Sequence, residues 1–332
     1  MTRVAAIVLN HERAQLTQAC IESLLSQDTG AQLVIYCVDN GSSKNCQETL
    51  LAQFSAQGPS CPPEAATLIW VSLTGNRGYS GGVNAALRLI QHHGADYLWI
   101  LNNDTVIDEG ALEALLTCSQ KRGDAALIGA TIVDSSSLEE PAAATIQCAG
   151  GCRFSPWTTF TKPNHKGAPA QEADTLPELE LDFVFGASLF APASVFNDVG
   201  LLDEERFFLY CEELDYALRA RKLGYELAWA RAATVIHEGG ATTQSRSKAR
   251  PRGSAQSFYF ENLSTLRLLG KHHKAALLPA LLFRLGFKFG TALLLGRWSE
   301  FRQVVRACTH FVTGRGWRQQ PVEEPTVLGY EG

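Results

Sequence analysis

The sequence predicts an α/β fold with a mainly parallel sheet flanked by helices. Short apolar runs alternate with segments of helical period through residue 101. Each run is followed by a polar, turn-forming cluster. The 332 residues are 45% hydrophobic and 19% charged, an ordinary globular composition able to supply a sizeable core.

The first apolar run covers residues 4–9, after which Leu16, Cys20, Ile21 and Leu24 recur at helical spacing. Further runs cover 33–38, 68–73 and 97–101, and Val83, Ala86, Leu87 and Ile90 mark a helix face before the last of them. Repeated strand–helix order is the signature of parallel strands joined by crossovers. Beyond residue 126 the rhythm changes. A strand is expected at 127–133, a loop at 134–144, a hairpin at 150–163, a loop at 167–177 and a buried strand at 182–190. A helix is expected at 212–223 and a short strand at 234–236, ending at His237. Residues 239–253 are polar and basic, and 257–313 read as helical throughout.

The net charge of −5 conceals an asymmetry. Residues 267–318 carry ten Lys or Arg against the single acid Glu300, or +9, while the rest of the chain carries 19 basic and 33 acidic residues, or −14. A basic tail on an acidic body points to an anionic partner for the tail alone, and no nucleic-acid partner is expected. Residues 275–295 are apolar but contain Arg284 and Lys288. A spanning helix needs about 20 apolar residues and would bury both charges. An amphipathic helix on an anionic membrane surface fits better, with packing on the domain or on a dimer partner equally open. The N-terminus runs straight into an apolar strand without signal-peptide features. The nine cysteines show no zinc-type pairing, Cys148 and Cys152 being the closest. Reduced thiols in a cytoplasmic protein, peripheral to the inner face of the membrane if the tail binds lipid, are expected.

In open α/β sheets, ligands bind beyond the carboxyl ends of the strands. The four predicted strands end on Asn10-His11, on Asp39-Asn40-Gly41, on Gly75-Asn76-Arg77-Gly78 and on Asn102-Asn103-Asp104. Each alone is also an ordinary turn, but four together favour a ligand rim. The segment Gly75–Asn84 places glycines before a helix, where a phosphate is favoured. It matches neither a dinucleotide fingerprint nor a P-loop. Asp104 follows a strongly apolar strand, where an acid either binds Mg²⁺ or Mn²⁺ together with phosphate oxygens or caps the next helix.

These segments, in order, resemble family 2 glycosyltransferases, most of all the bacterial rhamnosyltransferase-like subgroup. The resemblance rests on Asp39-Asn-Gly-Ser-Ser43, Asn76-Arg-Gly-Tyr-Ser-Gly-Gly-Val-Asn84 and Leu101-Asn-Asn-Asp-Thr105. Three later segments extend it: Phe185-Gly-Ala-Ser188, Phe207-Phe-Leu-Tyr-Cys-Glu-Glu-Leu-Asp215 and Ala233-Thr-Val-Ile-His-Glu-Gly-Gly240. The resemblance implies a GT-A-type, Rossmann-like catalytic domain over 1–255. Its nucleotide-binding half would cover about 1–125 and its acceptor half about 126–255. Residues 256–332 would form a basic, amphipathic helical extension.

By the same resemblance, the chain would be an inverting, metal-dependent hexosyltransferase. It would move L-rhamnose from dTDP-rhamnose, or another sugar from a UDP donor, to a cell-surface glycan or lipid-linked saccharide. Asp39 would contact the donor base. Asn10, Asn76, Arg77, Gly78, Asn84, Asn102 and Asn103 would line the donor. Asp104 would be the surviving acid of an Asp-x-Asp metal motif whose first position is Asn102 here, and His237 its partner on Mn²⁺ or Mg²⁺. Glu213 stands where the family's catalytic Asp is usual, with Glu212 as a competitor. Ser188, Glu212 and Asp215 are acceptor-side candidates, although Asp215 also reads as an i,i+4 partner of Arg219. A mobile basic loop carrying Arg246, Lys248, Arg250 and Arg252 could close over the donor. The competing readings are a catalytically silent sugar-nucleotide or glycan-binding subunit, and a nucleotidyltransferase.

Overall fold

The computed structural model describes residues 1–55, 60–61, 67–135, 143–238, 254–317 and 324–330. The apolar runs of the first half become β1 (Arg3–Asn10), β2 (Gln32–Asp39), β4 (Leu68–Ser72) and β5 (Tyr97–Asn102), with a short β3 (Ser60–Cys61) before β4. β4, β2, β1 and β5 lie side by side and parallel. Asn10 pairs in register with Asp39, and Leu9 with Asn102, so the polar strand ends share one edge.

Helices α1 (Ala14–Leu25), α2 (Lys44–Ser55) and α3 (Gly78–His93) connect these strands. The central strands are buried on both faces, as a covered parallel sheet requires. Val4, Ala6 and Val8 of β1 face one apolar cluster, while Ala5 and Ile7 face the other. The period of two therefore divides one continuous apolar run between two cores.

After β5 come β6 (Thr105–Ile107), α4 (Ala111–Lys121), β7 (Ala126–Asp134) and β8 (Ile146–Ala149). The expected hairpin is β9 (Gly151–Phe154) with β10 (Thr161–Pro163). The strand expected at 182–190 is instead two pieces, β11 (Phe183–Val184) and β12 (Ser188–Pro192), which join different sheets. Gly186 lies at the break between them, within a turn that the alternation of apolar residues does not reveal. α5 (Ala193–Val199) and α6 (Glu212–Lys222) follow, then β13 (Glu226–His237), longer than the three residues expected. β12 runs antiparallel between β5 and β7, β13 is parallel to β7, and β6 returns antiparallel to β13. The two expected halves therefore share a single mixed sheet of eleven strands.

The C-terminal stretch is three helices, α7 (Ala255–His272), α8 (Lys274–Leu295) and α9 (Trp298–Thr313). It breaks at His273 and at Gly296, whose φ of 66° is left-handed. The extension is not helical to its end. A final strand, β14 (Thr326–Tyr330), adds antiparallel to β4.

α7 is tied to α6 by a buried carboxylate. Asp215 accepts from Arg219 Nε at 2.9 Å, pairs with Lys271 Nζ at 2.7 Å and meets His272 Nε2 at 2.6 Å. Lys271 also reaches Asp203 at 2.7 Å. These partners hold Asp215 down to about 2, against the penalty of its burial. A carboxylate with a depressed folded-state pKa stabilises the fold above its unfolded value, and this is lost as pH falls through the folded one. The contribution, about 2 kcal/mol, is expected to vanish between about pH 4 and pH 2. Asp215→Asn leaves Lys271 and Arg219 without their buried anion, and a cost of about 3–5 kcal/mol is expected. Urea unfolding of the two proteins at pH 7 and pH 3 checks this: the gap should narrow on acidification, and equal midpoints at pH 7 would contradict it.

Candidate active site

The four strand ends form a hydrogen-bonded rim. Asn10 Nδ2, at the end of β1, donates to Asp39 Oδ1 at 2.8 Å, and Asn10 Oδ1 accepts from Thr17 Oγ1 at 2.8 Å. Asp39 Oδ2 accepts from Gln47 Nε2 at 2.7 Å and from the Ser42 N–H at 3.2 Å. Asn40 Oδ1 accepts from the Arg77 N–H at 2.9 Å, and its Nδ2 donates to the Gly78 carbonyl at 2.9 Å. Asn76 Oδ1 accepts from the Gly78 N–H at 2.8 Å, while Asn76 Nδ2 meets His11 Nε2 at 3.1 Å. His11 Nδ1 in turn reaches the Asn40 carbonyl at 3.1 Å. His11 thus joins three of the four turns.

Gly78 has a φ of 73°, and a Cβ there would lie 2.2 Å from the Phe208 carbonyl oxygen. Only glycine lets α3 begin against the loop that precedes α6. The Tyr79 N–H donates to that same carbonyl at 2.7 Å.

On the other side of β5, Asn103 Nδ2 donates to Thr17 Oγ1 at 2.9 Å. Asn102 is half-buried at the strand end. Asp104 does not cap α4, whose N-cap is Gly110. Its Oδ1 lies 3.3 Å from His237 Nε2. The partner of His237 on its far side decides what faces the acid. Gln147 Nε2 donates to the His237 carbonyl at 2.8 Å, which turns Gln147 Oε1 toward His237 Nδ1 at 3.0 Å. An amide oxygen can only accept, so Nδ1 carries a proton, and a neutral ring would present the Nε2 lone pair to Asp104. Two acceptors facing each other at 3.3 Å call for a proton or a cation between them. One carboxylate and one imidazole fit a divalent ion that takes its remaining ligands from phosphate and water. Among the described residues no cluster of three or more His, Cys, Asp or Glu gathers, so phosphate and water would have to complete the shell.

The second group of acids opens α6. Tyr210 and Cys211, immediately before it, are both left-handed, with φ of 69° and 68°. Such non-glycine conformations cost on the order of 1–3 kcal/mol each and persist where packing over-determines them. Here α7 supplies the packing. Ser264 Oγ donates to the Leu209 carbonyl at 2.8 Å, and Phe208 stacks on Phe260 with centroids 4.5 Å apart.

The turn delivers Glu212 and Glu213 to a desolvated place. Burial holds Glu212 well above the usual carboxylate range, and the charge on Glu213 adds to it. Burial raises Glu213 as well. Among the described residues, Oε2 of each has no hydrogen-bond partner. Burial of two neighbouring carboxyls favours the protonated form of each. Gly186 makes room for Glu213: a Cβ there would sit 3.2 Å from Glu213 Oε1. The Tyr79 hydroxyl donates to the Gly186 carbonyl at 3.4 Å, beside Glu213. Burial pushes its phenol up, and the charges of Glu212, Glu213 and Asp104 each push it further.

Three expected site residues are turned into the structure instead. Asn84 spends both ends of its amide on the backbone of Leu202, at 2.9 and 3.0 Å, and is fully buried. Ser188 Oγ accepts from Trp99 Nε1 at 2.9 Å inside the core. Asp215 is the buried anion between α6 and α7. Asp39 reaches the rim, but with no exposed surface, so it organises the neighbouring turns. Arg77 is also buried. The basic segment 242–252 and Gly239-Gly240 lie outside the described residues. His11, Tyr79, Gln147 and Gly186 were not anticipated as site residues. His11, Tyr79 and Gly186 lie within or beside segments that drew attention; nothing local marks Gln147.

A family model described as "Glycosyltransferase like family 2" matches residues 2–255. The chain belongs to glycosyltransferase family 2. Among curated relatives, a low-salt glycan biosynthesis hexosyltransferase, Agl10 of Haloferax volcanii, is 24% identical over 237 residues, covering 70% of this chain and 66% of its own. An N-acetylglucosaminyl-diphospho-decaprenol L-rhamnosyltransferase of Mycobacterium tuberculosis is also 24% identical, covering 66% of this chain and 71% of its own.

The chain spans just under two thirds of the Haloferax relative. In structure, the protein resembles GalNAc-T7 with UDP, GalNAc and Mn²⁺, with a TM-score of 0.59 at 12% identity over 81% of this chain and 48% of that one. It also resembles the mannosyltransferase PcManGT of Pyrobaculum calidifontis, in complex with GDP-Man and Mn²⁺, with a TM-score of 0.52 at 14% identity over 95% and 88%. At these identities the likeness establishes the fold, a mixed α/β sheet of the GT-A kind. In this family 2 chain the Gln147 amide sets the tautomer of His237. Gln147→Leu should therefore weaken Mn²⁺ binding in the presence of a nucleoside diphosphate by about 10- to 100-fold. Isothermal titration reads this directly, and an unchanged isotherm would remove Gln147 from that role.

Proposed function

We propose that this chain transfers a glycosyl unit, with inversion, from a nucleoside-diphosphate sugar to an acceptor hydroxyl. The observation that carries the reading is the turn at Phe185 and Gly186: the Phe185 ring packs edge-on against His237 with centroids 6.0 Å apart, while Gly186 lies against Glu213 and accepts from the Tyr79 hydroxyl at 3.4 Å. One space is thus bordered by a pair suited to a metal–diphosphate and by a carboxyl pair suited to a proton. When bound by Asp104 and His237, Mn²⁺ or Mg²⁺ supplies Lewis-acid stabilisation of the charge gathering on the leaving diphosphate.

Glu213 accepts the proton of the acceptor hydroxyl. The new bond to the anomeric carbon forms on the face opposite the breaking bond to the diphosphate oxygen. Burial raises the basicity of Glu213, so that the base works nearer neutral pH. Asn76, His11 and Asn102 border the donor side. The first donor to test is dTDP-rhamnose, supported by the mycobacterial relative's name, with UDP-sugars second. A lipid-linked saccharide or surface glycan is the acceptor class we favour. Unbonded Cys148 and Cys152 sulfurs, 3.7 Å apart, fit a reducing compartment.

A thermal-shift screen of nucleotide sugars with and without Mn²⁺ identifies the donor, since a ligand of the native state raises apparent stability. With that donor, Glu213→Gln should lower transfer by about 10²- to 10⁴-fold while donor binding persists; normal turnover would sink the assignment. Asp104→Ala should remove the Mn²⁺-dependent part of donor binding, and an unaltered Mn²⁺ response would reject that ligand. The raised pair sets the pH sign. The base is competent only when deprotonated, so kcat/KM should fall on acidification through a pKa above the ordinary 4.5 of a glutamate.

A further inference from the structure

α8 is built inside out for a water-facing helix. Its outward face carries Leu278, Leu282, Phe283, Phe287, Leu293 and Leu294, with exposures of 63% at Leu278, 61% at Leu282 and 82% at Leu294. The charged residues between positions 275 and 296 are Arg284 and Lys288, and both turn inward. Arg284 donates to Asn262 Oδ1 at 3.0 Å and to Thr159 Oγ1 at 2.6 Å, and pairs with Glu261 at 3.1 Å. Lys288 lies 4.0 Å from Glu300 and over the Phe258 ring at 5.2 Å. The charges that seemed to interrupt an apolar segment therefore leave its outer face free of charge. Monomeric soluble proteins rarely show so continuous an apolar surface.

The surface extends sideways. Phe160, from the β9–β10 turn, packs edge-on against Phe283 and Phe287 with centroids 5.6 and 5.7 Å away, and is itself half exposed. Trp157 in the same turn and Trp298 at the start of α9 are exposed as well. Trp is the residue favoured at a membrane–water boundary. Lys274, Arg302, Arg306 and Arg315 are exposed along and beyond α8. Glu300, the one acid of residues 267–317, is buried under Lys288 and Arg297.

We infer that α8, with the β9–β10 turn, seats the protein on an anionic lipid bilayer as a peripheral surface helix. Charge selects this occupant over a second copy of the chain. A two-fold contact would set the same patch against itself, bringing these cations toward each other while the one acid of residues 267–317, Glu300, stays buried. Anionic headgroups answer all of them while the acyl boundary takes Leu282 and Phe287. By length and composition α8 could cross a membrane. It is packed against α7 and α9, however, and holds Arg284 and Lys288 in bonds to the domain, so it lies along the surface. This inference goes beyond the transfer reaction and stands or falls without it.

The test is sedimentation of the full chain with vesicles of phosphatidylcholine alone and of phosphatidylcholine with 30 mol% phosphatidylglycerol, roughly the anionic content that a polybasic surface reads. Binding is expected to the second only, to weaken with salt, and to fall at least about tenfold in L282E/F287E. K274E/R302E, which leaves the apolar face intact, should weaken it less and abolish its salt dependence. Unchanged thermal midpoints confirm that both variants fold. Equal binding of the L282E/F287E variant overturns the proposal. So does a wild-type dimer, seen by light scattering, that this variant dissociates while neither binds vesicles. Resistance of the bound protein to alkaline carbonate extraction overturns the peripheral geometry.

Discussion

The buried contact of Asp215 with Arg219, Lys271 and His272 is the joint on which the rest of the molecule depends. It fastens α7 to α6, and α7 holds the left-handed turn at Tyr210 and Cys211 from which Glu212 and Glu213 emerge. An anion with no exposed surface is tolerable only with such neighbours, since burying it alone would cost several kcal/mol. α7 of the C-terminal helices therefore supports the turn that presents Glu212 and Glu213. The same helices carry the apolar outer face of α8.

The candidate site has two poles with opposite electrostatic character. At one, Asp104 and the Nε2 lone pair of His237 form an acceptor pair completed by positive charge. At the other, Glu212 and Glu213 are desolvated and repel each other, which favours keeping a proton. The Tyr79 hydroxyl donates to the Gly186 carbonyl at 3.4 Å, and Gly78 and Gly186 permit close approaches to Phe208 and Glu213.

Much of this was legible in the order of residues. The strands and helices of the first half lie close to where apolar periodicity put them, because a covered parallel sheet writes continuous apolar runs into its strands. Two later strands were misjudged. Apolar continuity does not register the Gly186 turn that splits residues 182–190. Polar and apolar residues alternate too irregularly along β13, which shifts register between Ala230 and Thr234, to mark it as twelve residues. Asn84, Ser188 and Asp215 carry chemistry-bearing side chains on matching motifs. Yet their partners are Leu202, Trp99 and the His272–Lys271 pair, 57 to 118 residues away for Leu202, Trp99 and His272.

By itself the sequence determined the α/β class and the edge of the sheet that gathers polar groups, and it singled out Asp104, His237 and Glu213 as candidates. These are local properties, set by periodicity, turn chemistry and residue type. Only the tertiary structure decided which way each side chain faces. Gln147 selects the tautomer of His237 from 90 residues away, and Arg284 and Lys288 turn inward because Glu261, Asn262 and Glu300 wait there. Direction depends on partners brought together by folding, and an amide, an imidazole or a guanidinium has no fixed role until its hydrogen-bond partners are in place.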